Sequence, residues 1–226
     1  RIRNLRLKEI LYLFFIGAIQ YGFMYLFVIR AYQYLPAYQI VLFTACTPIY
    51  VTLIDDGLSK KFQPFYLCMA ALSLVGASIF YLNEFSWSAL GKGFVLVQCA
   101  DICFALGQVL YRRLKVSHEV FFDKNVYALL FLGGSLITAF ATASSGGWQD
   151  LFALSAKQMY IILYLGAIAS GLCFFWWGMA SNKVSVGSLA VMNNLKTPFG
   201  ILISLLFFQE RANLPLLMLS CLLIGD

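Results

Sequence analysis

Asp101 and Lys196 are the residues of this chain whose type and position together can do chemistry. Each lies near the middle of an apolar stretch, Asp101 in Gly93–Tyr111 and Lys196 in Val186–Phe208. A charge at the centre of a bilayer costs about 2.5–3.5 kcal/mol on insertion scales, so it is retained where it has a partner or a task. An acid and a base at similar depth predict a polar site inside a helical bundle, where a solute is held on its way across. Asp101 can act there as counter-ion or as proton acceptor. Lys196 can hold a carboxylate or phosphate of the solute, or it can pair structurally with Asp101.

Neighbours extend both positions into polar faces. Gln98, Asp101 and Gln108 stand at i, i+3 and i+10, with Ala105 between them at i+7, and all four share one side of a helix. Turned to lipid, such a stripe is costly. It serves either as a solute-binding face or as hydrogen-bonding glue between helices. Asn193, Lys196 and Gly200 repeat the arrangement, with Asn194 and Thr197 one residue round. Pro198 removes the hydrogen bond to the carbonyl of Asn194, which needs polar company at that depth. Thr44, Thr47 and Pro48 form an earlier copy of this kink, with Cys46 opposite Lys196. Gln20 and Tyr21 lie mid-span beside Gly17 and Gly22 and either line the cavity or pack. Trp177, next to Trp176, is either part of an interfacial aromatic belt or a π-face for the solute. The expected solute contacts are therefore Gln20, Tyr21, Thr47, Gln98, Asp101, Gln108, Trp177, Asn193, Asn194 and Lys196. No catalytic or metal-ligating residue is expected, and no cofactor.

Helices in lipid must position these groups. The chain is 62% hydrophobic and 12% charged, against about 45–50% and about 25% for a soluble domain. Eight apolar segments are predicted: Ile10–Tyr32, Ala37–Ile54, Phe65–Leu82, Gly93–Tyr111, Asn125–Ala143, Met159–Met179, Val186–Phe208, and Leu214 to the end. About 20 apolar residues cross a bilayer as a helix, whereas an open sheet edge cannot sit in lipid. Leu35-Pro36, Asp56-Gly57 and Ser144–Gly147 read as joints, with Asp55 and Asp56 as solvated loop charges. Taking alternate connections, ten Lys and Arg residues from Arg1 to Lys183 fall on one side, against Arg30, Lys92, Lys157 and Arg211 on the other. The richer side is expected to be cytoplasmic. Topology thus accounts for the net charge of +6, and no basic, aromatic-decorated surface calls for nucleic acid. The six cysteines lack metal-type spacing and read as small packed or lipid-facing residues.

The chain also repeats itself. Gly17-Ala18-Ile19 with Gly22 matches Gly166-Ala167-Ile168 with Gly171 at an offset of 149. Ala31 matches Ala180 at the same spacing, and Thr47-Pro48 matches Thr197-Pro198 one residue further on. Five segments separate each helix from its copy, so the copy is inverted in the membrane, as in many secondary transporters. Residues 1–84 read as the last three helices of a first repeat, and 85–226 as a second repeat whose last helix is cut short. Projecting the fourth segment back by one offset leads to the expectation of two further helices before Arg1, and of a ten-helix parent.

This layout resembles the drug/metabolite transporter superfamily, EamA type. Members carry a Pro in the fourth helix of each repeat and a Glu-Arg pair at its end; here these are Pro48 with Lys60-Lys61, and Pro198 with Glu210-Arg211. The first copy departs from the pair. The resemblance implies an all-α integral membrane bundle of inverted five-helix repeats in the cell membrane. It also implies alternating-access transport of a small polar metabolite such as an amino acid, an amine or an S-adenosylmethionine-like molecule. The expected partners are that solute, the lipid bilayer, and a coupling proton or an exchanged solute. The alternatives are a membrane-embedded enzyme or accessory subunit, and a channel. There is no His-Glu-x-x-His, Gly-x-Ser-x-Gly or P-loop motif, and the one histidine, His118, falls in a predicted loop.

Overall fold

Lipid offers backbone N–H and C=O groups no partners, so a spanning segment must satisfy them within itself. The computed structural model describes residues 6–60, 64, 68, 87–117, 123–181, 183–184, 203 and 206–207, and every regular element among them is helical. Among the described residues, five helices are long and apolar enough to cross a membrane. In chain order the elements are α1 (Leu7–Ala31), α2 (Ala37–Ser59), α3 (Trp87–Ser117), α4 (Asp123–Ser144), the short α5 (Trp148–Phe152) and α6 (Ala156–Ser181). The predicted segments Phe65–Leu82, Val186–Phe208 and Leu214 onward lie almost wholly outside the described residues.

The helices outrun their apolar cores. α2 continues to Ser59, so Asp55, Asp56 and Gly57 belong to its last turns and not to a loop. The actual stop is Lys60, whose φ of 53° is left-handed and cannot continue the helix.

The chain divides into two compact units, Arg1–Phe23 with Leu110–Val184, and Met24–Val109 with Ser185–Asp226. In the first unit, α1 and α4 meet through glycines. A Cβ on Gly17 would collide with the backbone of Leu130, and one on Gly133 with the carbonyl oxygen of Phe14. A Cβ on Gly134 would lie 2.9 Å from that of Tyr21. Small residues allow this approach, which in lipid supplies the packing that holds helices together. Both spanning helices that carry the Gly-Ala-Ile repeat widen into π-helix, at Ala18–Phe23 in α1 and at Leu165–Cys173 in α6. These stretches occupy matching places at the 149-residue offset.

The second unit is built on the end of α1, on α2, and on α3 up to Val109. Ala31, Leu35, Ile40, Leu42, Phe43 and Val97 are its core, with Phe43 edge-on to Phe94 at 4.9 Å. A smaller cluster joins Val51 to Ala105 and Val109. Midway along α2, the turn Thr44–Cys46 tightens to 3-10 geometry just before Thr47-Pro48. Pro48 has no N–H, so the Thr44 carbonyl four residues earlier loses its α-helical donor.

Candidate solute-binding site

The stripe on α3 is buried throughout. Gln98 is 8% exposed, Asp101 5%, Gln108 4% and Ala105 0%. Facing it within the same unit are polar groups of α2. The Thr47 hydroxyl oxygen lies 3.0 Å from Oδ1 of Asp101, and 2.6 Å from the carbonyl oxygen of Thr44. One turn along, the Tyr50 hydroxyl donates to Oε1 of Gln98 at 2.9 Å. That bond fixes the amide, since an oxygen that accepts from Tyr50 leaves Nε2 to act as donor. Among the described residues neither end of the Gln108 amide has a hydrogen-bond partner, and Nε2 of Gln98 makes no well-aligned bond although the Cys46 thiol lies beside that amide; all three atoms are buried. Each such atom costs about 1–3 kcal/mol. Polar groups left open at this cost mark a place that water or a solute completes.

Polar and apolar portions alternate along the stripe. Gln98 and Asp101 lie one turn apart and form one polar end. Gln108 lies about 10 Å further along the helix at 1.5 Å per residue. Between them Ala105 and Val51 make an apolar patch.

In the other unit, Gln20 and Tyr21 sit within the first π-helical stretch, and both are buried. Tyr21 packs its ring on Phe131 at 5.1 Å and on Phe174 at 5.4 Å, the latter directly following the second π-helical stretch. Oε1 of Gln20 and Nε1 of Trp177 are buried with no partner among the described residues. Trp176, by contrast, is 55% exposed. Asn193, Asn194 and Lys196 lie outside the described residues.

The structure therefore pairs Thr47 with Asp101, places Gln98 and Gln108 on the same face, and pairs Gln98 with Tyr50, which sequence reasoning missed. The available signal was its spacing: Tyr50 follows Thr47 by three residues and shares its face.

An all-α multi-pass membrane protein with a buried polar stripe is the architecture of a solute carrier. Comparison with known proteins gives the family. The EamA-like transporter family matches residues 1–82. The biotin transporter of Salmonella typhimurium is 34% identical over 216 residues, covering 95% of this chain and 71% of that protein. The biotin transporter of Escherichia coli is 33% identical over 225 residues, 99% of this chain and 74% of that protein. The probable biotin transporter of Pseudomonas aeruginosa is 35% identical over 207 residues, 91% and 71% respectively. A solved protein crystal structure, 16% identical, superimposes with a TM-score of 0.68 over 93% of this chain and 74% of its own, a likeness of fold. The chain belongs to the EamA-like family of drug/metabolite transporters. It is a multi-pass cell-membrane protein that moves a small molecule, and not an enzyme.

Proposed function

We propose that this chain is a secondary transporter that carries biotin by alternating access. The observation that carries the reading is the stripe on α3, with its polar end at Gln98 and Asp101, its apolar middle at Ala105, and its second polar position at Gln108. Biotin has the matching order: a ureido head with one carbonyl and two N–H groups, an apolar ring and chain, and a carboxylate. Nε2 of Gln98 can donate to the ureido carbonyl, while an oxygen of Asp101 can accept from an N–H, whether the group is ionised or protonated. A hydrogen-bonding site of this kind rejects analogues that lack the polar group much more strongly than an apolar pocket rejects a missing methylene. The open Gln108 amide stands at the end where the carboxylate would lie. Three relatives named for biotin, each about a third identical over nine-tenths or more of this chain, support the same substrate over the amino acids, amines and S-adenosylmethionine-like solutes of the wider family.

Counterflow in proteoliposomes tests the proposal. Labelled biotin should exchange with unlabelled biotin and with desthiobiotin, which keeps the ureido group, but not with lipoate, which lacks it. Exchange of an amino acid, an amine or S-adenosylmethionine with none of biotin would overturn the substrate. Flux that does not saturate would indicate a channel.

A further inference from the structure

Thr47 has one hydroxyl proton and two acceptors in reach. Its oxygen is 2.6 Å from the Thr44 carbonyl and 3.0 Å from Oδ1 of Asp101. Both contacts can be hydrogen bonds at the same time only when Asp101 is the donor, that is, when its carboxyl is protonated. Then Asp101 donates to Thr47 and Thr47 donates to Thr44, in one direction along the chain of groups. When Asp101 is ionised it can only accept, and Thr47 must turn its proton away from Thr44 toward the carboxylate. A charge-assisted bond is roughly twice as strong as a neutral one, so the turn is favoured.

The acceptor that loses this proton is a special one. Pro48 has no N–H to give the Thr44 carbonyl, and the Thr47 hydroxyl stands in for it. The backbone N–H of Thr47 also donates to this carbonyl, so the oxygen is never left bare. The 3-10 turn of α2 therefore has two hydrogen-bonded states, and the charge on Asp101 selects between them.

We infer that Asp101 is the binding site of a coupling proton, and that Thr47 transmits its occupancy to the 3-10 break at Thr44–Cys46 in α2. A proton enters Asp101 from one aqueous side and leaves to the other. Thr47 keeps its own proton throughout and only rotates. One proton carried with one biotin anion makes the cycle electroneutral. The inference rests on the transport reading above. Ionisable groups that face Asp101 include Cys46 and Tyr50 of α2, a thiol and a phenol. Lys196 is the cation that the sequence places at similar depth, outside the described residues.

Infrared difference spectroscopy of the reconstituted protein between acid and alkaline buffer tests the proton site without any substrate. The wild type should show a protonated-carboxyl stretch that titrates and is absent from Asp101→Asn. In Thr47→Val the band should move to higher frequency, because the carboxyl loses its acceptor, whereas Thr47→Ser should leave it in place. A titrating band that is the same in Asp101→Asn, or one that Thr47→Val does not move, overturns the inference. If Asp101→Asn does not fold, the Thr47→Val and Thr47→Ser pair decides alone. A pH-sensitive dye inside proteoliposomes then reads coupling: biotin entry should bring in about one proton per molecule. Biotin exchange without proton movement refutes coupling. Absence of biotin exchange, with the infrared band behaving as expected, refutes the substrate and leaves the proton site standing.

Discussion

Tyr50→Phe is the sharpest probe of the site, because it deletes one oxygen and leaves the ring. The hydroxyl donates to Oε1 of Gln98 at 2.9 Å and is the feature that orients this amide. Removing it loses a hydrogen bond worth about 0.5–1.5 kcal/mol and leaves Oε1 as one more open atom. The amide is also freed to flip, so Nε2 no longer faces the solute in every molecule. A loss near 1 kcal/mol corresponds to about a fivefold weaker apparent affinity. The assay is the concentration dependence of labelled biotin uptake, run as a double-mutant cycle with Gln98→Ala. Tyr50 acts through Gln98, so Tyr50→Phe should weaken wild type about fivefold and cost Gln98→Ala nothing further. Additive losses in the double variant would refute the reasoning, because Tyr50 would then contribute by another route. So would an unchanged KM accompanied by a drop in melting temperature, which would make the pair purely structural.

Three further outcomes are expected. Gln108→Leu should raise thermal stability in detergent, by about 1–3 kcal/mol for the open amide it removes, and should impair transport. Gly17→Val should fail to give folded protein, because even a Cβ meets the Leu130 backbone, whereas Gly57→Ala, with nothing within 4 Å, should stabilise α2 by about 0.5–1 kcal/mol in melts of the purified protein. A cysteine at Ser145, in the exposed turn after α4, should react with an impermeant maleimide added to intact cells, and one at Ser59 should not; the reverse pattern would invert the topology.

Asp101 and the glutamines flanking it stand out in the sequence because polarity in an apolar helix is costly, and the cost forces them to a buried face whatever the neighbours are. The glycines at 17 and 133 are legible for a similar reason, since small residues in lipid serve close approach. Tyr50 carries no such signal: a tyrosine in an apolar run suits packing, an interface or a site equally well, and its partner Gln98 lies 48 residues away. The end of α2 was misplaced because Asp56-Gly57 is composed like a turn, yet backbone hydrogen bonding continues to Ser59 regardless of side-chain polarity. Nothing in residue type announces π-helix either, as it uses the same residues with one more per turn. That the chain moves a small molecule was legible in its apolar helices and polar stripe; which small molecule is not written in residue types, because it depends on how donors and acceptors are spaced once the helices have packed.

The paired π-helical stretches also share a register. A π-turn is an α-helix that has taken in an extra residue, and an insertion into one copy alone would displace every later residue relative to the other. The offset of 149 holds on both sides of the stretch, at Gly17 with Gly166 and again at Ala31 with Ala180. The equal offset on the two sides means that neither segment holds a residue in this stretch that the other lacks, so the helices keep one register before the widening and after it.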